Sequence, residues 1–166
     1  MSAVEALRQL DDVRRAVEDV PDPELPVLTL GDLGIVRGVE WVDGRVRVTV
    51  TPTYSGCPAT EVIARDVLRA VEGLGLAGEV RTVLSPAWST DWITEHGREV
   101  LQRNGIAPPG AVASRTVSLQ LGAAPPACPR CGSGVTEEVS RFGPTACTAL
   151  WRCRACGEPF DHVRPL

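Results

Sequence analysis

Residues 34–50 read GIVRGVEWVDGRVRVTV, and the fold turns on this stretch. Ile35, Val39 and Trp41 fall on one side of an alternating run. Val46, Val48 and Val50 then point inward while Arg45, Arg47 and Thr49 point outward. Asp43-Gly44 lies between the two runs, and an Asp-Gly pair there predicts a tight β-hairpin, because the favoured two-residue turn needs positive φ at both positions. Upstream, Leu7, Leu10, Val13, Val17 and Val20 keep helical spacing behind a capping-box pair, Ser2 and Glu5, so a helix is expected to end near Val20. Pro21, Pro23 and Pro26 force an extended, irregular passage after it.

Downstream, the loop TPTYSGCPA (51–59) leads into a helix over Thr60–Glu72, with an apolar stripe of Ile63, Val67, Ala70 and Val71 and a stop at Gly73. A third strand is expected over Glu79–Leu84. SPAWSTDW (85–92) reads as a loop in which Ser89, Thr90 and Asp91 can cap a short helix that ends on Asn104-Gly105. Trp88 and Trp92 can bury against the sheet or face a partner. Residues 107–110 are a break, and Thr116–Leu121 alternates again.

The chain has 166 residues, 43% of them hydrophobic, enough for one ordinary domain with a small appendage. Composition shifts to cysteine, glycine and arginine after GAAPPA, which divides the chain into a first domain over 1–122, a linker over 123–127 and a second unit over 128–166. No apolar run reaches the roughly 18 residues of a membrane span, and the N-terminal stretch carries acids where a signal peptide is basic, so a cytoplasmic protein is expected. In that reducing compartment the six cysteines read as metal ligands or reactive thiols, not as disulfides. A net charge of -4 lacks the general attraction for nucleic acid; the positive charge is all arginine, with no lysine.

Cys128-Pro129-Arg130-Cys131-Gly132 and Cys153-Arg154-Ala155-Cys156-Gly157 form two knuckles around a segment with hairpin character over 135–140 and 149–152. Two intervening residues let both thiolates of a knuckle face one ion, the glycine eases the turn, and four thiolates close a tetrahedral shell with no open position for catalysis. A structural zinc ribbon is expected, with a four-cysteine iron centre as the competitor. A unit of this size has too little core to fold without its metal. Arg130, Arg141, Arg152 and Arg154 cluster around it but lack the aromatic platform of a nucleic-acid reader. Cys147 stands off the knuckle spacing, as a semi-buried residue or an alternative ligand. His96 and His162 read as surface or packing histidines.

Cys57 stands between Gly56 and Pro58, where proline at a first helical position makes Cys57 the expected N-cap of the next helix. A thiol near the positive end of a helix dipole is a better nucleophile or metal ligand; the plain alternative is a small buried cap. Asp22 and Glu24 sit on a proline-stiffened loop, either as two functional carboxylates or as a turn former beside a solvated charge.

DPELPVLTLGDLGIV (22–36) followed by TPTYSGCPA resembles the SufT-like iron-sulfur assembly factors and the related subunit of the eukaryotic cytosolic iron-sulfur targeting complex. With SPAWSTDWITEHGREVL (85–101) and the terminal RFGPTACTALWRC, the whole chain resembles the phenylacetate-CoA oxygenase accessory subunits called PaaD or PaaJ. The resemblance implies an α+β fold, a small mixed sheet flanked by helices with a separate C-terminal zinc ribbon. It implies maturation of the metal or iron-sulfur centre of the phenylacetyl-CoA ring epoxidase system in phenylacetate catabolism. Cys57 would handle iron or a cluster transiently, with Asp22, Glu24, Thr51, Thr53, Ser55 and Gly56 around it, while Cys128, Cys131, Cys153 and Cys156 hold zinc. The implied partners are epoxidase subunits, its iron-sulfur reductase, or a second copy in a cluster-bridged homodimer. The competing readings are a structural docking subunit without metal transfer and a thiol-dependent enzyme, the non-catalytic accessory role being the expected one.

Overall fold

The computed structural model describes residues 3–53, 59–110 and 124–165, which form two compact units, 1–88 and 89–166. The first unit is α+β. Helix α1 (Ala3–Glu18) precedes the strands β1 (Val36–Val42) and β2 (Arg45–Val50), then α2 (Thr60–Gly73) and β3 (Gly78–Thr82). β1 and β2 are antiparallel and β2 and β3 parallel, a mixed sheet of order β1-β2-β3. Asp43 and Gly44 have φ of 49° and 77°, the two left-handed positions the hairpin turn requires. Register slips by one residue between Val36 and Gly38, leaving Arg37 as a bulge. Val46, Val48 and Val50 are buried, and Val13, Val17, Ile63, Val67 and Val71 of the two helices are buried as well. These five residues of the helical stripes read from sequence line the core, whereas Leu7 of the first stripe is exposed.

Between α1 and β1 the proline-rich passage is tied down by its own backbone. Gly31 N–H donates to Glu18 O at 2.9 Å, Leu30 N–H to Val20 O at 2.8 Å and Ile35 N–H to Leu30 O at 3.0 Å. A Cβ on Gly31 would lie 2.9 Å from Glu18 Cβ, so only glycine permits this approach. Trp88 is buried and its Nε1 donates to Leu33 O at 2.8 Å, which settles the first of the two loop tryptophans as a packing residue.

The second unit begins with a 3-10 turn (Thr90–Trp92), on which Ser89 Oγ accepts from Asp91 N, and continues with α3 (Glu95–Arg103), capped by Thr94 Oγ1. Short strand β4 (Ile106–Ala107) and strands β5 (Thr136–Ser140), β6 (Thr148–Cys153) and β7 (Pro159–Val163) form a sheet of order β4-β7-β6-β5. Residues 89–110 thus group with the cysteine-rich segment, whereas a division at 122 places them with the first unit. The physical reason is the parallel pairing of Ile106 and Ala107 with Asp161 and His162. The alternating stretch 116–121 lies outside the described residues. No helix among the described residues is long and apolar enough to cross a membrane.

Candidate metal centre and the acidic loop

The second unit brings four cysteines to one point. The sulfurs of Cys128, Cys131, Cys153 and Cys156 all lie within 4.8 Å of one another, with Cys131 Sγ 3.6 Å from Cys153 Sγ and Cys128 Sγ 3.8 Å from Cys156 Sγ. A tetrahedral ion with bonds of about 2.3 Å to sulfur separates its ligands by roughly 3.8 Å, so the donor set fits a thiolate-bound metal such as zinc. The knuckles are built alike: Cys128 N donates to Ser133 O and Gly132 N back to Cys128 O, as Cys153 N donates to Glu158 O and Gly157 N to Cys153 O. Gly132 and Gly157 take φ of 74° and 80°, the left-handed turn that a side chain would strain.

Four thiols this close cannot ionise independently. The Cys153 thiol is lowered to about 7, chiefly by the backbone N–H of Cys156. Cys131 is pushed up to about 12: a backbone hydrogen bond at Ser133 pulls it down, but the sulfur of Cys156, burial, and the sulfurs of Cys153 and Cys128 together outweigh it. A divalent cation resolves this conflict by replacing the shared protons.

Around the site, Cys128 and Cys153 pack with Ala107 and Phe160, and Trp151 lies against that cluster. Cys147 is buried outside the four-sulfur group, its Sγ 3.2 Å from Thr145 Oγ1, in keeping with a small packing residue. Three of the four ribbon arginines have carboxylate partners: Arg130 with Glu158 at 3.1 Å, Arg154 with Glu137 at 2.8 Å and Arg141 with Glu138 at 3.9 Å. His162 is buried and His96 exposed.

In the first unit the acidic loop has its own geometry. Asp22 is buried, and its Oδ1 accepts the N–H groups of Glu24 at 2.9 Å and Leu25 at 2.7 Å. Burial raises the Asp22 carboxyl above its ordinary value against the pull of those bonds; burial, then the Asp22 charge, raise Glu24. Asp22 is thus a turn former whose carboxylate is held at a desolvation cost that its two backbone hydrogen bonds only partly offset. Thr51 N donates to Ile35 O at 3.0 Å, joining the end of β2 to the backbone strip Val20–Leu30–Ile35 that carries the loop. Thr51 is 1% exposed and its hydroxyl has no partner among the described residues. Thr53 is half-buried.

Cys57, Ser55 and Gly56 lie outside the described residues. The expected cap at Cys57 lies outside them too; α2 runs over Thr60–Gly73, in keeping with the helix expected over Thr60–Glu72, and Ile63 N donates to Ala59 O at 2.8 Å. One residue escapes the sequence reading. Asp32, buried, accepts from both the N–H and the hydroxyl of Thr29 at 3.1 Å, and its signal is a third acid within the quoted loop motif.

Comparison with known proteins agrees with a chain of two units. Residues 10–84 match the family described as "Iron-sulfur cluster assembly protein" and residues 113–164 that described as "PaaD zinc beta ribbon domain". The chain is 43% identical over 159 residues to an Escherichia coli K12 protein named as a subunit of 1,2-phenylacetyl-CoA epoxidase, covering 94% of this chain and 93% of that one. It is 37% identical over 94 residues to an "Fe-S protein maturation auxiliary factor" of Porphyromonas gingivalis W83, covering 55% of this chain and 89% of that one. A crystal structure of a domain of unknown function, DUF59, from Bacillus anthracis superposes with a TM-score of 0.55 at 26% identity, covering 60% of this chain and 97% of that one. With an assembly-type α+β unit and a four-cysteine ribbon in one chain, aligned almost end to end with the Escherichia coli relative, the protein belongs to the PaaD family of phenylacetyl-CoA epoxidase subunits.

Proposed function

We propose that this protein is a cytoplasmic, non-catalytic accessory factor that matures the metal or iron-sulfur centre of a phenylacetyl-CoA ring epoxidase system. The first unit handles iron or a cluster transiently through Cys57, with Asp22, Glu24, Thr51, Thr53, Ser55 and Gly56 around it. The ribbon, holding zinc on its four cysteines, docks on an epoxidase subunit or on the system's iron-sulfur reductase. The observation that carries this reading is that, among the described residues, the buried Asp22 carboxyl, raised by desolvation, has no cationic partner and the buried Thr51 hydroxyl has no hydrogen-bond partner. Both sit in the unit that matches iron-sulfur assembly proteins. One cysteine in the first unit is too few ligands for a stable cluster, so binding is transient or bridges two copies.

The test is iron and acid-labile sulfide analysis of protein purified without oxygen, alongside epoxidase activity in cells. Cys57→Ala and Asp22→Asn are expected to abolish iron loading and to lower epoxidase activity at least tenfold while zinc stays at one per chain. The name of the epoxidase relative, a subunit, favours a second reading: a docking subunit without metal transfer. That reading takes over if both variants support full activity and the protein copurifies stoichiometrically with the oxygenase.

A further inference from the structure

The four ligating cysteines are not equivalent. Cys128 and Cys153 are 1% and 0% exposed and belong to the core cluster with Ala107 and Phe160, whereas Cys131 and Cys156 are exposed. An independent observation marks the same side as open. A Cβ added at Gly132 or Gly157, the residue after each exposed cysteine, would meet nothing within 4 Å. A reagent can therefore reach Cys131 and Cys156 directly, and the two loop tips have room to move. Each exposed sulfur also touches a buried one on the opposite knuckle: Cys131 lies 3.6 Å from Cys153 and Cys156 lies 3.8 Å from Cys128.

We propose that Cys131 and Cys156 form a modification site for hydroperoxides, each attacked sulfur being resolved by the buried sulfur across from it. The exposed thiolate attacks the O–O bond, which breaks; one oxygen stays on sulfur as a sulfenic acid and the other leaves, with a proton, as an alcohol or water. The buried thiolate then attacks that sulfur, the S–S bond forms, and hydroxide leaves with a second proton as water. Two thiolates lose two electrons, and the hydroperoxide gains them. The four-sulfur site, left with two donors, releases its ion as the divalent cation, and the remaining thiolates take up protons. A disulfide needs a sulfur separation near 2.05 Å, and the open loop tips supply the movement.

The resulting connectivity differs from the ordinary outcome for a Cys-x-x-Cys pair, which is a bridge within one knuckle. The experiment uses the full chain, zinc-loaded and carrying Cys57→Ser so that this thiol does not contribute, treated with substoichiometric hydrogen peroxide. Zinc release is followed with a colorimetric chelator, and disulfides are mapped by mass spectrometry after acid quench. The expected result is about one zinc released per disulfide, with Cys131–Cys153 and Cys128–Cys156 bridges dominant. N-ethylmaleimide, applied separately, should label Cys131 and Cys156 on the order of tenfold faster than Cys128 and Cys153. Equal labelling of the four, or predominance of Cys128–Cys131 and Cys153–Cys156 bridges, overturns the proposal.

Discussion

In the first unit, helices and strands meet through fully buried aliphatic side chains: Val13 and Val17 from α1, Leu28 and Leu30 from the loop, Val46 and Val48 from β2, Val67 and Val71 from α2. In the second, the buried cluster at the knuckles contains, among the described residues, Ala107, Cys128, Cys153 and Phe160, and two of those four belong to the four-cysteine site. Burying a Val or Leu side chain contributes about 1.5–3 kcal/mol, so packing is the first unit's main source of stability. The ribbon has far less of it. Its stability has to come from the ion, and the two units should therefore respond oppositely to chemical and to packing perturbations.

Metal removal gives the largest expected effect. Structural zinc contributes an apparent ~10–16 kcal/mol in comparable small units, as much as a whole domain's typical stability of ~5–15 kcal/mol. A strong chelator, or Cys153→Ser, should abolish hydrogen-exchange protection in β5, β6 and β7 while β1, β2 and α2 keep theirs. Persisting protection of β6 in metal-free protein would show that the ribbon's own core suffices and would erase the contrast.

The reverse perturbation is smaller. Leu28 is fully buried, and Leu28→Ala should destabilise the first unit by about 2–5 kcal/mol in urea unfolding, with zinc stoichiometry and affinity unchanged. A weakened zinc site in that variant would mean that the two cores are coupled.

The same contrast governs what the sequence discloses. The hairpin is legible because period-2 alternation and Asp43-Gly44 are local signals, and the structure places both turn residues at positive φ. The four ligands are legible because metal geometry writes itself into two-residue spacings. What stays hidden depends on partners distant in sequence. β4 is two residues long, Ile106 and Ala107, and exists only because β7 lies 55 residues away to pair with it. β7 itself opens on Pro159, which masks the alternation of Phe160 and His162 toward the core. The body of α2 is legible for the local reason that Ile63, Val67 and Val71 repeat at helical spacing, and all three are buried. Thr51 enters only through the resemblance of its loop motif, and its burial without a hydrogen-bond partner among the described residues is what separates it from an ordinary strand-end threonine.

His162 supplies the finest test of how far the ribbon's small core contributes beside its metal. The side chain is 6% exposed, its Nδ1 lies 3.2 Å from Ala107 O, and its ring meets Trp151 edge-on with centroids 6.0 Å apart. Burial lowers the imidazole below its ordinary 6.5, while the Ala107 carbonyl and the charge of Glu138 pull it back up in part. The folded ribbon thus prefers a neutral ring, and the unfolded chain binds more protons once pH falls through 6.5. The histidine's contribution is fully present above that value and is lost as pH drops toward the lower folded value. His162→Gln keeps an amide donor for the Ala107 carbonyl and cannot charge. At saturating zinc, with bound metal measured at each pH, the variant should lose less stability between about pH 7 and pH 5.5 than the native chain does. Identical acid limbs would mean that thiolate protonation alone governs the ribbon, and that its core beyond the four sulfurs adds nothing that titrates.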